Sequence, residues 1–253
     1  MKFTLAFLFL MSAAVFSGCA KSSDQPSSRR IGTPAKKVLS ESESFKYVTA
    51  TIYYIPDYSA TDVNVCGANA EFNIILSKTQ NKKIKTCKKI FDNCLMQGSC
   101  YVNLDSQKVM INYNKKLNGV YFFKIVDTTR CKFGMGDSND GSKNYKTMCV
   151  EPYRSVAADF RYHKLGDVIY IPSVLGVQLP DGSMHDGYFI VRDSGSAIKG
   201  RGRFDFFTGF DGIGKKNVFS GLGLGGEANP AYQLVSGGLA EKVRKYRAFP
   251  YLR

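Results

Sequence analysis

The chain has 253 residues, 44% of them apolar, and its 35 Lys and Arg outnumber 21 Asp and Glu to give a formal net charge of +14. So basic a protein suits an anionic partner: nucleic acid, anionic lipid or an acidic wall polymer. No nucleic-acid fold signature is present, and the one apolar run near the start is too short for a transmembrane helix.

That run has the outline of a secretory signal. Lys2 is followed by an apolar stretch from Phe3 to Phe16, broken only by Thr4 and Ser12, and then by Ser17-Gly-Cys19. Small residues ending in cysteine resemble a bacterial lipobox, with Phe16 where leucine is usual. Residues 1–18 are then a lipoprotein signal peptide and Cys19 the lipidated anchor to the membrane. Sorting of such proteins implies the periplasmic face of the outer membrane in a Gram-negative cell. Residues 19–44 are polar and have little to bury, so they read as a flexible tether. The folded part begins near Phe45, and the remaining 200 or so residues are ample for one domain and an insertion.

Residues 61–150 hold six of the seven cysteines: Cys66, Cys87, Cys94, Cys100, Cys131 and Cys149. An even number in an exported chain suggests up to three disulfides, with fifteen pairings open. Zinc is the alternative, but no Cys-x-x-Cys pair exists and both histidines, His163 and His185, lie outside the cluster. Strands are expected over Phe72–Leu76, Lys108–Asn112 and Val120–Val126. Lys82 to Lys89 carries five lysines in eight residues. Lys132 to Thr147 reads as loop; Asp137, Asn139 and Asp140 lack the spacing and closing Glu of a calcium loop.

Farther on, Tyr188 to Val191 is β-prone and ends just before Asp193. Gly195, Gly200 and Gly202 permit tight bends. Arg203 to Phe207 alternates again, with Asp205 among Phe204, Phe206 and Phe207. A carboxyl among phenylalanines is costly to ionise and is suited to general-acid work near neutral pH. Repulsion from Asp193 pushes its pKa further up and Arg203 pushes it down; the sequence leaves the balance open. The plainer alternative makes Asp193 a turn residue and Asp205 an exposed strand residue. Gly209 to Lys215 has the spacing of a phosphate loop, but Lys216 replaces the required hydroxyl. Gly221 to Gly226 has the spacing of a dinucleotide fingerprint, but no strand–turn–helix unit surrounds it. Leu239 to Tyr246 is the best helix candidate, and Pro250 ends regular structure.

Asp193-Ser-Gly-Ser-Ala-Ile-Lys-Gly200 followed by Arg203-Phe-Asp-Phe-Phe207 resembles the signature of the three-aspartate (3D) domain. That is the double-psi β-barrel of membrane-bound lytic murein transglycosylase A (MltA) and its relatives. Ser155-Val-Ala-Ala-Asp159 with Lys164 to Ile171, and Thr49 to Ile55, resemble two more of the family's segments. The resemblance implies a mainly β fold: a six-stranded double-psi β-barrel from residues 45–60 and 151–253, with a C-terminal extension. The disulfide-rich region 61–150 is inserted in it and, as in the relatives, forms one wall of a glycan groove. Two departures stand out. Gly200-Arg-Gly-Arg203 is one residue longer than the family's turn, and extra length lies around Val177 to Asp186.

The resemblance also implies a function. The chain would be a peptidoglycan lytic transglycosylase that cleaves the β-1,4 bond between N-acetylmuramic acid and N-acetylglucosamine and leaves a 1,6-anhydro sugar. Asp205 would be the single acid/base, Asp193 its assistant and Asp159 a supporter. Ser194, Gly195, Lys199 and Arg203 would border the bound glycan. The partners are glycan strands and, through Cys19, the membrane; the chain acts as a monomer without metal or organic cofactor. The alternative is an expansin-like lipoprotein that binds peptidoglycan without cutting it, which the longer turn favours if it displaces Asp205. A hydrolase using two aspartates and a water is a third reading, separable by its products.

Overall fold

The computed structural model describes residues 46–60, 66, 72–76, 82–129, 131–134, 148–212, 214, 216–226 and 228–249. The signal sequence, Cys19 and the tether lie outside the described residues, as do Asp137, Asn139 and Asp140.

Seven short strands form the first sheet: β1 (Lys46–Tyr47), β2 (Thr49–Tyr53), β8 (Ser155–Ala158), β9 (Val168–Tyr170), β10 (Tyr188–Asp193), β11 (Arg203–Phe207) and β12 (Ala231–Val235). Their order is β1-β12-β9-β10-β8-β11-β2. The two edge strands, β1 and β2, are separated by one residue, Val48. Its amide donates to the Pro230 carbonyl at 3.0 Å, while the Thr49 amide turns the other way to the Gly202 carbonyl at 2.7 Å. One run of chain, residues 46–53, therefore pairs with both edges, and the sheet closes. Seven strands replace the six expected because this run breaks at Val48; counted as one stave, it completes a six-stave barrel. Two neighbours are parallel, β2 with β11 and β8 with β10. Among the described residues, closure leaves this first sheet no long unpaired edge.

Alternation fills the inside. Ala50 and Ile52 of β2, Val156 and Ala158 of β8, Phe189 and Val191 of β10, and Phe204 and Phe206 of β11 form one buried cluster with Tyr232 of β12. Every second residue of the same strands then faces outward. Outside, α3 (Gly237–Tyr246) lays Ala240 and Val243 on Val168, Ile190 and Val235. A single turn of helix, α2 (Val218–Gly221), is capped by the Asn217 side chain and pushes Phe219 into the core.

The second sheet is built from the inserted region. Its strands are β3 (Phe72–Leu76), β4 (Lys83–Thr86), β5 (Ser99–Leu104), β6 (Gln107–Leu117) and β7 (Val120–Val126), in the order β4-β3-β7-β6-β5. Asn118 and Gly119, with φ of 48° and 81°, make the tight turn between β6 and β7. The lysine-rich run divides into β4 and the helix α1 (Lys88–Gln97). Ile90, Phe91 and Cys94 give that helix its buried face, and Gly98 ends it in a left-handed conformation. Of the fifteen pairings, the structure has Cys66–Cys87, Cys94–Cys100 and Cys131–Cys149. The second bridge ties α1 to β5, so the small sheet does not depend on its apolar core alone.

A shared cluster seals the two sheets together. Ile55 and Phe207 from the barrel pack with Tyr101, Met110 and Val126 from the insertion, and Tyr53 and Phe133 lie against them. This seam borders the outer face of β2 and β11.

Candidate active site

Four side chains from four strands line up on that outer face. Asp205 on β11 is the cross-strand partner of Thr51 on β2 and, on its other side, of Ala157 on β8. Ala157 is in turn the partner of Asp193 on β10. The row is thus Thr51, Asp205, Ala157, Asp193. Two strand intervals separate the aspartates, about 9–10 Å at the backbone, with the smallest apolar side chain between them.

Asp193 reaches this row because of a bulge. Ile190 and Val191 pair with Ser155 and Val156, but the next pair is Asp193 with Ala157, and Arg192 is extra. In a regular register Arg192 would oppose Ala157, and Asp193 would turn to the barrel interior. Arg192 is instead fully buried. It donates to the Cys149 carbonyl at 2.9 Å and to the Arg247 carbonyl at 3.1 Å. Those bonds hold the bulge and with it the direction of Asp193.

Asp205 accepts a hydrogen bond from the Thr51 hydroxyl at 2.6 Å. Burial pushes its pKa above the ordinary carboxylate range, against the pull of Thr51 and Arg203. The balance left open by the sequence therefore falls on the raised side. The causes differ in two respects from expectation: burial and not repulsion from Asp193 raises it, and the phenylalanines do not all contribute. Phe204 and Phe206 point into the barrel, so of the three phenylalanines only Phe207 shares the face of Asp205. Tyr53, whose ring centroid lies 5.0 Å from that of Phe207, covers the same side.

The remaining candidates divide into two groups. The Ser194 amide donates to Asp193 Oδ1 at 2.8 Å, and Gly195 sits where a Cβ would come within 2.9 Å of Ile198. Arg203 spends its guanidinium on the Phe204 and Thr49 carbonyls, and Lys199 is exposed. Asp159 is one step beyond β8 and buried. Arg161 grips both of its oxygens, and the Gly200 amide donates to Oδ2 at 2.8 Å. These donors hold its carboxyl well below the ordinary range, Arg161 first. Asp159 thus fastens the turn before β11 and remains ionised.

The extra residue is absorbed in that turn. The Arg201 carbonyl meets the His163 ring at 2.7 Å and Gly202 abuts the Tyr47 carbonyl. From Arg203 to Phe207 the pairing with β2 then runs without a shift. The extra length near 177–186 folds on itself through a bridge between Gln178 and Met184. A depression of about 180 Å³ between Tyr58, Ile84, Lys85 and Val102 lies on the small sheet and contains none of the aspartates. Thr51 and Tyr53 join the site without having been expected there. Their sequence signals are alternation with the apolar Ala50 and Ile52 and a place within Thr49 to Ile55, the segment that resembles the family's.

Comparison with known proteins bears on the barrel. Residues 154–216 match the family model of the 3D domain. Comparison with curated proteins gave no match. Among solved structures, MltA of E. coli with bound chitohexaose is 15% identical, covering 76% of this chain and 72% of its own, with a TM-score of 0.48. A membrane-bound lytic murein transglycosylase from Agrobacterium tumefaciens is 16% identical over 78% and 76%, with a TM-score of 0.43. The lytic transglycosylase LtgG of Burkholderia pseudomallei is 14% identical over 75% and 71%, with a TM-score of 0.38.

Proposed function

We propose that this chain is an exported, lipid-anchored lytic transglycosylase that acts on peptidoglycan glycan strands as a monomer. One observation carries the reading: within the stretch that matches the 3D domain, Asp193 and Asp205 flank Ala157 on one outer face, and burial has raised the pKa of Asp205. Two nearby carboxyls in unlike surroundings are what an acid and an electrostatic partner need.

Asp205, protonated, gives its proton to the oxygen that bridges N-acetylmuramic acid and N-acetylglucosamine, and the bond to C1 breaks. Positive charge then develops at C1 and the ring oxygen. The Asp193 carboxylate stabilises it from across Ala157. Asp205, now ionised and steadied by the Thr51 hydroxyl, takes the proton of the muramyl C6 hydroxyl. The C6 oxygen bonds to C1 and closes the 1,6-anhydro ring. N-acetylglucosamine leaves with a free 4-hydroxyl, Asp205 ends protonated, and no water is consumed. One acid/base therefore suffices where a hydrolase usually needs two carboxyls.

Asp159 supports the site from the turn, and Ser194, Gly195, Lys199 and Arg203 border the glycan. Arg203 acts on Asp205 mainly through its charge, since its donors are engaged with carbonyls. The net charge of +14 favours a wall whose stem peptides carry carboxylates. Three disulfides suit an oxidising compartment outside the cytoplasm, and Cys19 is the proposed anchor. The unshifted register after Gly202 speaks against the non-catalytic alternative, whose motive was a displaced Asp205. The test is the product: anhydro-muropeptides released from purified peptidoglycan.

A further inference from the structure

The outer face also holds the phenol of Tyr53. It sits two residues beyond Thr51 on β2 and pairs with Phe207, two residues beyond Asp205. Although the residue is only partly buried, its hydroxyl oxygen is buried and makes no hydrogen bond of ordinary geometry. Such orphaned hydroxyls are costly and rare. The phenol is nevertheless not far from a partner. Asp193 from β10 and Asp205 from β11 both press their charge on it, and Asp193 is also in side-chain hydrogen-bonding reach. Burial is the largest influence, the two carboxyls add to it, and the phenol's pKa is pushed well above its usual value. The group therefore holds its proton and, toward a carboxylate, acts as the donor. Of the two carboxyls, Asp205 already accepts from Thr51. Arg203 acts on Asp205 from the same strand. On the insertion side the surroundings are rings: Phe133 packs against Phe207 at 6.1 Å, with the Lys132 ammonium over the Phe133 ring.

We propose that Tyr53 is a positioning residue, whose hydroxyl donates to the Asp193 carboxylate and keeps it an anion beside the protonated Asp205. The proposal rests on the transglycosylase reading and deepens it: the phenol sets which carboxyl is the acid. The ring contact with Phe207, 5.0 Å between centroids, aims the hydroxyl.

Tyr53→Phe keeps the ring and removes only the donor. On peptidoglycan its kcat should fall about tenfold or more at little-changed KM, and the acid limb of its pH profile should move to higher pH. Tyr54→Phe, whose hydroxyl faces Asn93, should change neither. Should Tyr53→Phe fold poorly by thermal melting, Tyr53→Leu is read in its place. A second measurement needs no activity: NMR titration of the protein labelled at tyrosine Cζ, with the Tyr53 resonance identified by its absence from the variant. Tyr53 should begin to ionise at lower pH in Asp193→Asn than in the wild type. An unchanged rate and pH profile in Tyr53→Phe, or an Asp193→Asn protein in which Tyr53 titrates as before, overturns the proposal. A wild type that releases no anhydro products overturns the transglycosylase reading instead, and the titration still decides whether Tyr53 engages Asp193.

Discussion

Asp193 and Asp205 face the same side of the barrel from either flank of Ala157, although they lie on different strands and one of them arrives there only through a bulge. Strand pairing, not loop conformation, sets their separation. A site fixed by register on rigid strands keeps its geometry without help from substrate.

Thr51 controls the basicity of Asp205. Its hydroxyl favours the ionised carboxyl, so Thr51→Val should raise the Asp205 pKa further. A general acid is active while protonated, and activity declines as pH rises through its folded-state pKa. The alkaline limb of kcat/KM should therefore move to higher pH in the variant. The rate at the optimum should fall about tenfold, because the carboxylate formed during the reaction loses a charge-assisted hydrogen bond. A pH–rate profile checks both.

Gly202 tests the turn that takes up the extra residue. A Cβ there would lie 2.6 Å from the Tyr47 carbonyl oxygen, a backbone atom in the run that closes the barrel. Gly202→Ala should cost about 1–3 kcal/mol by thermal or urea unfolding. Gly238→Ala, in the first turn of α3 with open space around it, should be neutral or stabilising by about 0.5–1 kcal/mol.

Much of this could be read in the sequence, and the misses have physical causes. Phe72–Leu76, Val120–Val126 and Arg203–Phe207 are strands at their expected bounds because alternation and β-branched or aromatic residues agree there. The expected strand at Lys108–Asn112 extends to Leu117, because Tyr113 to Leu117 are all exposed and carry no buried alternation to read. The helix α1 was hidden in the lysine run: its buried face is only Ile90, Phe91 and Cys94, and a disulfide supplies part of its anchorage. The three aspartates were legible as a motif. Their surroundings were not, because Thr51 and Asp205 meet across 154 residues of chain. Nor does local sequence announce a bulge whose extra residue, Arg192, is held by carbonyls from Cys149 and Arg247. Phe204 and Phe206 adjoin Asp205 in sequence yet face away from it, since neighbours on a strand point to opposite sides.

His185 makes the barrel sensitive to acid. It is buried, with Nε2 against the Tyr153 carbonyl at 2.7 Å and Nδ1 accepting from the Gly187 amide at 2.8 Å. That pattern fits only the neutral ring. Burial first, then Arg154 and Arg247, push its pKa down to about 3, with Asp186 and the Tyr153 carbonyl opposing. Between pH 6.5 and about 3 the unfolded chain binds a proton there that the folded one refuses. The stabilisation is full above about pH 6.5 and is lost as pH falls toward 3, a matter of a few kcal/mol at about 1.4 per unit. Unfolding free energy measured against pH should decline over that window. His185→Gln, less stable at neutral pH, should decline less steeply.

The most direct measurement is mass spectrometry of purified peptidoglycan after incubation with the protein, beside an Asp205→Asn control. The amide of that variant keeps an oxygen for the Thr51 hydroxyl, so the fold should survive and the control isolates the chemistry. The wild type should release muropeptides ending in 1,6-anhydro-N-acetylmuramic acid, and the variant should be slower by a factor of about 100 or more. Reducing-end products would make the protein a hydrolase instead. Anhydro products from a fully active Asp205→Asn protein, or no soluble products from a wild type that pellets with the wall, would contradict the assignment of Asp205 as the acid/base of a lytic transglycosylase.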